Sequence, residues 1–244
     1  MKLCNKPFCI FVRNKQPAHT YNKMETHLSK SRNFFLAVTA VVAWFAVGLQ
    51  FYLIIFNRVT SIPETIIRYF SFYTILTNIL VALYVTALLL KPNSSVGKFL
   101  NRSGPVTALV LYISVVGIIY NLVLRQLWKP EGWQRVADEL LHVIVPLLII
   151  CYWIFLANRT GLKWKNIFSW LVYPLLYLCI ILLRGAFSGF YPYPFINVTV
   201  LGYNKVFVNS VGMLLLFVFI ACLFIAIAKR SETQSQKGSR IPHG

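Results

Sequence analysis

An all-α, polytopic integral membrane protein with six transmembrane helices is the fold class this sequence predicts. Three observations lead there. Hydrophobic residues make up 58% of the chain and charged ones only 12%, about half the charged share of a soluble domain. The apolar residues fall into six blocks, each near the roughly 20 residues a helix needs to cross a bilayer. None of the blocks shows the period-two alternation of a barrel strand, and without water to satisfy backbone amides a helix is the remaining solution.

In chain order the blocks are Phe34–Phe56, Ile66–Leu90, Val106–Leu124, Leu140–Leu156, Ile167–Leu183 and Val206–Ala228. Charges with helix breakers separate them: Asn57-Arg58, Lys91-Pro92-Asn93, Lys129-Pro130-Glu131-Gly132, Asn158-Arg159-Thr160-Gly161, and the loop after Arg184. The chain thus divides into a basic tail (1–33), a six-helix domain (34–228) and a second polar, basic tail (229–244). Met1 to Arg32 lacks the uninterrupted apolar core and small-residue cleavage site of a signal peptide, so the first span serves as an uncleaved targeting signal. Seventeen Lys and Arg fall on the side of the two tails and seven on the other, which predicts cytoplasmic termini in a bacterial inner membrane.

The net charge is +18, a balance that elsewhere signals nucleic acid. Here the basic residues lie between and outside the apolar blocks, so topology and anionic lipid headgroups at the tails account for them and nucleic acid does not. Cys4 and Cys9 lie in the first tail and Cys151, Cys179 and Cys222 inside apolar blocks. No pair has metal-ligand spacing beside histidines, so they read as small apolar fillers and reduced thiols.

The candidate chemistry centres on Asp138-Glu-Leu-Leu-His-Val-Ile-Val-Pro146. Of four histidines, His19, His27 and His243 sit in polar tails, and His142 alone joins a membrane-length apolar run. Imidazole is the side chain best suited to move protons near neutral pH, and an ionisable group inside a bilayer is a functional candidate. The alternative is a histidine at headgroup level, because a span starting at Leu140 puts it only about 5 Å from the helix end. Asp138 and Glu139, four and three residues earlier, can lie over the ring, or they are first-turn acids favoured by the helix dipole. The second block carries Tyr73, Thr74, Thr77 and Asn78 at about 11 to 18 Å from a start at Ile66. A hydroxyl beside an imidazole is the minimum apparatus for attack on an ester carbonyl, with Asn78 or a tyrosine as oxyanion donor. Thr74, Thr77 and Asn78 serve equally as polar glue between helices. Arg184 either pairs with Asp138, binds a carboxylate or phosphate headgroup, or anchors the interface. Tyr191-Pro-Tyr-Pro-Phe195, with Tyr191 and Tyr193, suits a stiff cap at the outer interface or the lining of an acyl entrance. One histidine in the spans disfavours metal catalysis, and no cofactor is expected.

Arg68-Tyr-Phe-Ser-Phe-Tyr-Thr-Ile-Leu-Thr-Asn78, the Asp138–Pro146 run, Trp170-Leu-Val-Tyr-Pro174, Arg184-Gly185, Tyr191–Phe195 and Gly202-Tyr203 resemble motifs of the bacterial six-span relatives of the androgen-induced-gene membrane protein family. The resemblance covers about Phe34 to Ala228. It implies an intramembrane threonine hydrolase of fatty-acid esters of hydroxy fatty acids, the activity of the family's animal members. By motif position Thr74 is the nucleophile, with Ser71 and Thr77 as neighbouring hydroxyls, and His142 the base. The implied partners are membrane lipids and a fatty-acyl ester substrate. The competing expectation is a non-catalytic lipid-binding protein, sensor or small-solute transporter. Against a transporter stand the lack of matching halves with interrupted helices and of an acid well inside a span.

Overall fold

The computed structural model describes residues 18–238, with the side chains of 30–234. Cys4, Cys9, His19, His27, His243 and the ends of both basic tails lie outside the residues or side chains so described. The described residues are 84% helix without strands, and among them six helices are long and apolar enough to cross a membrane. Helices α1 (Ala18–Phe56), α3 (Tyr73–Leu90), α5 (Ser103–Leu127), α6 (Gly132–Phe155), α7 (Asn166–Ser188) and α8 (Val198–Gly238) carry the spans. The short helices α2 (Ile62–Ser71) and α4 (Ser95–Leu100) lie between them.

Two boundaries differ from the sequence expectation, and both reposition the site. The second apolar block is not one helix. Phe72 is extended (φ −80°, ψ 124°), so α2 ends at Ser71 and α3 starts at Tyr73. Thr74 therefore lies in the first turn of its helix, not two to three turns along. The fourth helix starts at Gly132, eight residues before Leu140, which places His142 about 15 Å along its axis rather than one turn in. Asp138 and Glu139 are then interior helix residues and not first-turn acids. An interrupted span and an acid inside a span are both present, contrary to the sequence reading. Helix α8 is also broken, at Gly202 (φ 74°, ψ 162°), four residues after it begins.

Helix α1 packs along α3, and α5 occupies the centre, touching α3, α6, α7 and α8. The small residues Ala40, Ala43, Ala46 and Val47 on the buried side of α1 permit that close approach. Buried hydroxyls within the helices mostly satisfy themselves: Thr39, Thr86, Thr107, Ser114 and Ser210 donate to the carbonyl four residues earlier. Longer polar groups tie helices together. Trp153, wholly buried in α6, donates its indole N–H to Thr107 Oγ1 on α5 (2.9 Å), and Tyr112 donates to the Trp170 carbonyl of α7 (2.8 Å). Trp153→Phe keeps most of the packing and deletes one buried hydrogen bond. It is expected to cost about 1 kcal/mol in detergent unfolding, read as a lower melting temperature.

Both α5 and α6 contain one π-helical turn, at Tyr120–Leu124 and Leu140–Ile144, and the two turns face each other. The α6 turn has a visible cause. Pro146 has no N–H to offer the His142 carbonyl four residues back, so the helix widens just before it. Asn121 Nδ2 reaches that carbonyl at 3.5 Å. Gly117 lets α5 approach closely here, because a Cβ on it would lie 3.1 Å from the His142 oxygen.

Candidate functional site

The break at Phe72 leaves the first backbone N–H groups of α3 without helical partners. Tyrosines from other elements take them. Thr74 N–H donates to Tyr193 OH (3.2 Å) and Tyr73 N–H to Tyr177 OH (3.2 Å), while Tyr177 donates to the Ser71 carbonyl (2.8 Å). The Tyr193 oxygen, which accepts that N–H, also lies 3.4 Å from Thr74 Oγ1, and either hydroxyl of this pair can donate to the other. Burial pushes the Tyr193 phenol above its usual range, so it stays a donor at neutral pH.

Tyr193 is delivered by the strap 189–197, which joins α7 to α8 and includes the 3₁₀ turn Pro194–Ile196. Gly189 (φ 68°) ends α7 in a left-handed turn, and Asn209 of α8 donates to the Phe195 carbonyl. Gly185 is required by Tyr191, whose ring occupies the space that a Cβ would need. Tyr191 thus wedges the strap against α7, while Pro192, Tyr193, Pro194, Phe195 and Ile196 line cavities. Arg184 pairs with Glu64 of α2 (3.0 Å) and not with Asp138. Arg68 bonds the same carboxylate (2.8 Å), and both guanidinium groups lie over the Phe190 ring, at 4.5 and 4.9 Å. These bonds, Arg68 first, hold the Glu64 carboxyl below its ordinary value of 4.5. A depressed carboxylate stabilises above its unfolded pKa and loses that contribution as pH falls through the lower folded value. The thermal-stability difference between wild type and Glu64→Gln is therefore expected to be present at pH 6, to shrink as pH drops below about 4.5 and to vanish below the lower folded value, measured by scanning fluorimetry.

His142 is buried in the α6 π-turn, and its ring stacks on Tyr120 at 3.8 Å between centroids. Nδ1 lies 2.9 Å from the Asp138 backbone carbonyl. A carbonyl only accepts, so Nδ1 carries the proton and Nε2 keeps a lone pair, the state a general base needs. The carboxylate of Asp138 is at 3.8 Å from Nδ1 and instead accepts from Trp128 Nε1 (2.9 Å). The ring is thus oriented by the peptide oxygen of Asp138 rather than by its side chain. Glu139 points to Arg125 (2.8 Å).

Thr74, His142, Tyr193 and Leu124 form the partition between two cavities, lining both. One is narrow, about 90 Å³, and walled by apolar groups of α5, α7 and α8 such as Val115, Leu178, Met213 and Phe217. The other, about 490 Å³, has a more polar wall that includes Gln50, Tyr120, Trp128, Gln134 and Asp138. Among the three candidate hydroxyls only Thr74 lines them. Ser71 donates to the Ile67 carbonyl (2.6 Å) and Thr77 is paired with Tyr173 (3.3 Å). Asn78 is not free to act as an oxyanion donor, since its amide N–H groups go to the Thr74 and Leu141 carbonyls (2.8 and 3.2 Å). It ties α3 to the π-turn beneath His142.

Comparison with known proteins finds no matching family model, no matching curated protein and no matching solved structure. The site is therefore read from its own geometry. Tyr120, Trp128 and Tyr177 carry parts of it that sequence reasoning missed. Trp128 is a loop tryptophan with no motif around it, and a π-turn leaves no periodic signal to point at Tyr120. Among the described residues no group of three His, Cys, Asp or Glu side chains is arranged to hold a metal ion.

Proposed function

We propose that this chain is an intramembrane lipid-ester hydrolase acting on fatty-acyl esters, a multi-pass protein of a bacterial plasma membrane with both termini cytoplasmic. The observation that carries the reading is that one hydroxyl, Thr74, bonded only to the Tyr193 phenol, and one imidazole whose Nδ1 is held by a peptide oxygen, His142, line the same two cavities. The motif resemblance supports it independently. In the reaction, Thr74 Oγ1 attacks the acyl carbonyl carbon while His142 Nε2 takes the hydroxyl proton, directly or through one water. Tyr193 O–H donates to the carbonyl oxygen as it becomes an oxyanion. Collapse breaks the ester C–O bond, and the imidazolium returns the proton to the departing alkoxide. Water then attacks the acyl-threonine while His142 takes its proton, the bond from the acyl carbon to Thr74 Oγ1 breaks, and the imidazolium returns the proton to Oγ1 as the fatty acid leaves. The narrow apolar cavity suits an acyl chain, and the wider one suits water and the polar part of the ester.

The test is covalent labelling of the purified protein by a fluorophosphonate, which captures an activated hydroxyl. Wild type should label, and Thr74→Ala and His142→Ala should not. Labelling that survives both substitutions sinks the pair. A second reading, a solute carrier, is favoured by the break at Phe72 and by Asp138 inside α6, since interrupted helices and buried acids mark transport sites. Uptake of solute by proteoliposomes with no labelling would decide for it.

A further inference from the structure

The wider cavity contains an unbalanced charge. Asp138 is 7% exposed, about 9 Å along a membrane-length helix, and the donors around its carboxylate are neutral: the Trp128 indole N–H at 2.9 Å, with the Tyr120 and Gln134 side chains beside it. The nearest imidazole gives its proton to a peptide oxygen, and the nearest guanidinium, Arg125, is bonded to Glu139. Among the described residues no Lys or Arg lines the cavity, although the chain as a whole carries +18. A carboxylate buried in a span without a cationic partner is costly, and a bound cation relieves that cost.

We propose that this cavity binds a cationic nitrogen, an alkylammonium group held by the Asp138 carboxylate. Aromatic rings line the space beside it: Tyr69, Phe72 and Trp128 are in the wall, together with Tyr120, whose face is taken by His142, and an ammonium ion is attracted to such rings. Gln134 donates to the Gln50 amide oxygen across α6 and α1 (2.9 Å), which leaves the Gln134 amide oxygen to the wall. The volume of about 490 Å³ exceeds by more than tenfold the roughly 30 Å³ occupied by one water, so the space fits an organic cation better than a bare metal ion. Trp128 is half-exposed and belongs to the loop between α5 and α6, so the carboxylate lies just inside the cavity's outer edge. Two sources supply this chemistry: the ethanolamine or choline headgroup of a zwitterionic lipid, and a free amine in water. Binding here does not depend on ester hydrolysis and is measured without it.

The experiment is calorimetric titration of the purified full-length protein with choline and with tetramethylammonium at constant ionic strength. The uncharged carbon isostere of choline serves as control. A parallel arm measures retention of phosphatidylcholine against phosphatidylglycerol in mixed nanodiscs. Wild type should bind the ammonium probes saturably and the isostere about tenfold more weakly or worse. Asp138→Asn keeps the shape and the bond to Trp128 and should lose about tenfold or more in affinity. Trp128→Phe, which leaves the carboxylate in place, should lose about two- to fivefold. Melting curves of both variants show whether they are folded. Selective retention of phosphatidylcholine identifies the headgroup as the source, and binding of the free probes alone identifies a soluble amine. Absence of saturable binding in both arms overturns the proposal, as does equal binding of the isostere or unchanged affinity in folded Asp138→Asn. Because labelling at Thr74 is read separately, failure here leaves the hydrolase reading standing, and loss of labelling leaves this one.

Discussion

His142→Gln is expected to lower fatty-acyl ester hydrolysis by about 10² to 10⁴-fold, the range a positioned general base contributes. Glutamine fills similar space and retains a donor toward the Asp138 carbonyl, but it has no basic nitrogen to replace Nε2. The loss should therefore fall on kcat rather than on protein yield or melting temperature. Thr74→Ala should remove hydrolysis and fluorophosphonate labelling together, while Thr74→Ser keeps a nucleophilic oxygen and retains part of both. Assays of a chromogenic acyl ester in detergent micelles check all three. Were His142 only an interface residue, the glutamine variant would be as active as wild type. Were Ser71 or Thr77 the nucleophile and Thr74 a packing residue, Thr74→Ala would be as active as wild type.

Gly117→Val should produce the second large effect, although residue 117 contributes no atom to chemistry. A Cβ at this point of α5 lies 3.1 Å from the His142 backbone oxygen and 3.5 Å from Pro146 Cβ, so the two helices meet there almost backbone to backbone. Valine adds two methyl groups beyond that Cβ. They must push α6 outward at the π-turn that holds the imidazole. Overpacking of this kind costs about 1 to 3 kcal/mol. A displacement of about 1 Å at a catalytic group is enough for a loss of about 10²-fold. Gly48→Val is the matched control, because a Cβ there meets nothing within 4 Å. Equal activity of the two valine variants would show that the contact between α5 and α6 does not set the position of His142.

The legibility of the site followed the range of the interactions. His142 stood out because one imidazole in an apolar run has few ordinary explanations, and Thr74 because of a motif. The partners of both were chosen by residues distant in sequence. Tyr193, 119 positions from Thr74, caps the start of α3. Arg184, 120 positions from Glu64, takes that acid instead of Asp138. Depth along the spans was misjudged where local cues misled. Apolar side chains continue through Phe72, so hydropathy does not register the break. Asp138-Glu139 looks like a helix boundary because it is charged, yet within α6 Arg125 of the preceding span pairs with Glu139 and the neutral indole of Trp128 donates to Asp138.

By itself the sequence determined six apolar helices, their order, and the isolation of a single imidazole among them. Those properties follow from how many consecutive residues avoid water, a quantity that composition expresses directly. Tertiary structure decided that α3 begins at Tyr73, that α6 widens at His142, and that Thr74 and His142 share two cavities. Such outcomes depend on which buried polar groups find partners across helices. That matching is settled by packing in three dimensions, where a missing proline N–H and a glycine on the facing helix act together.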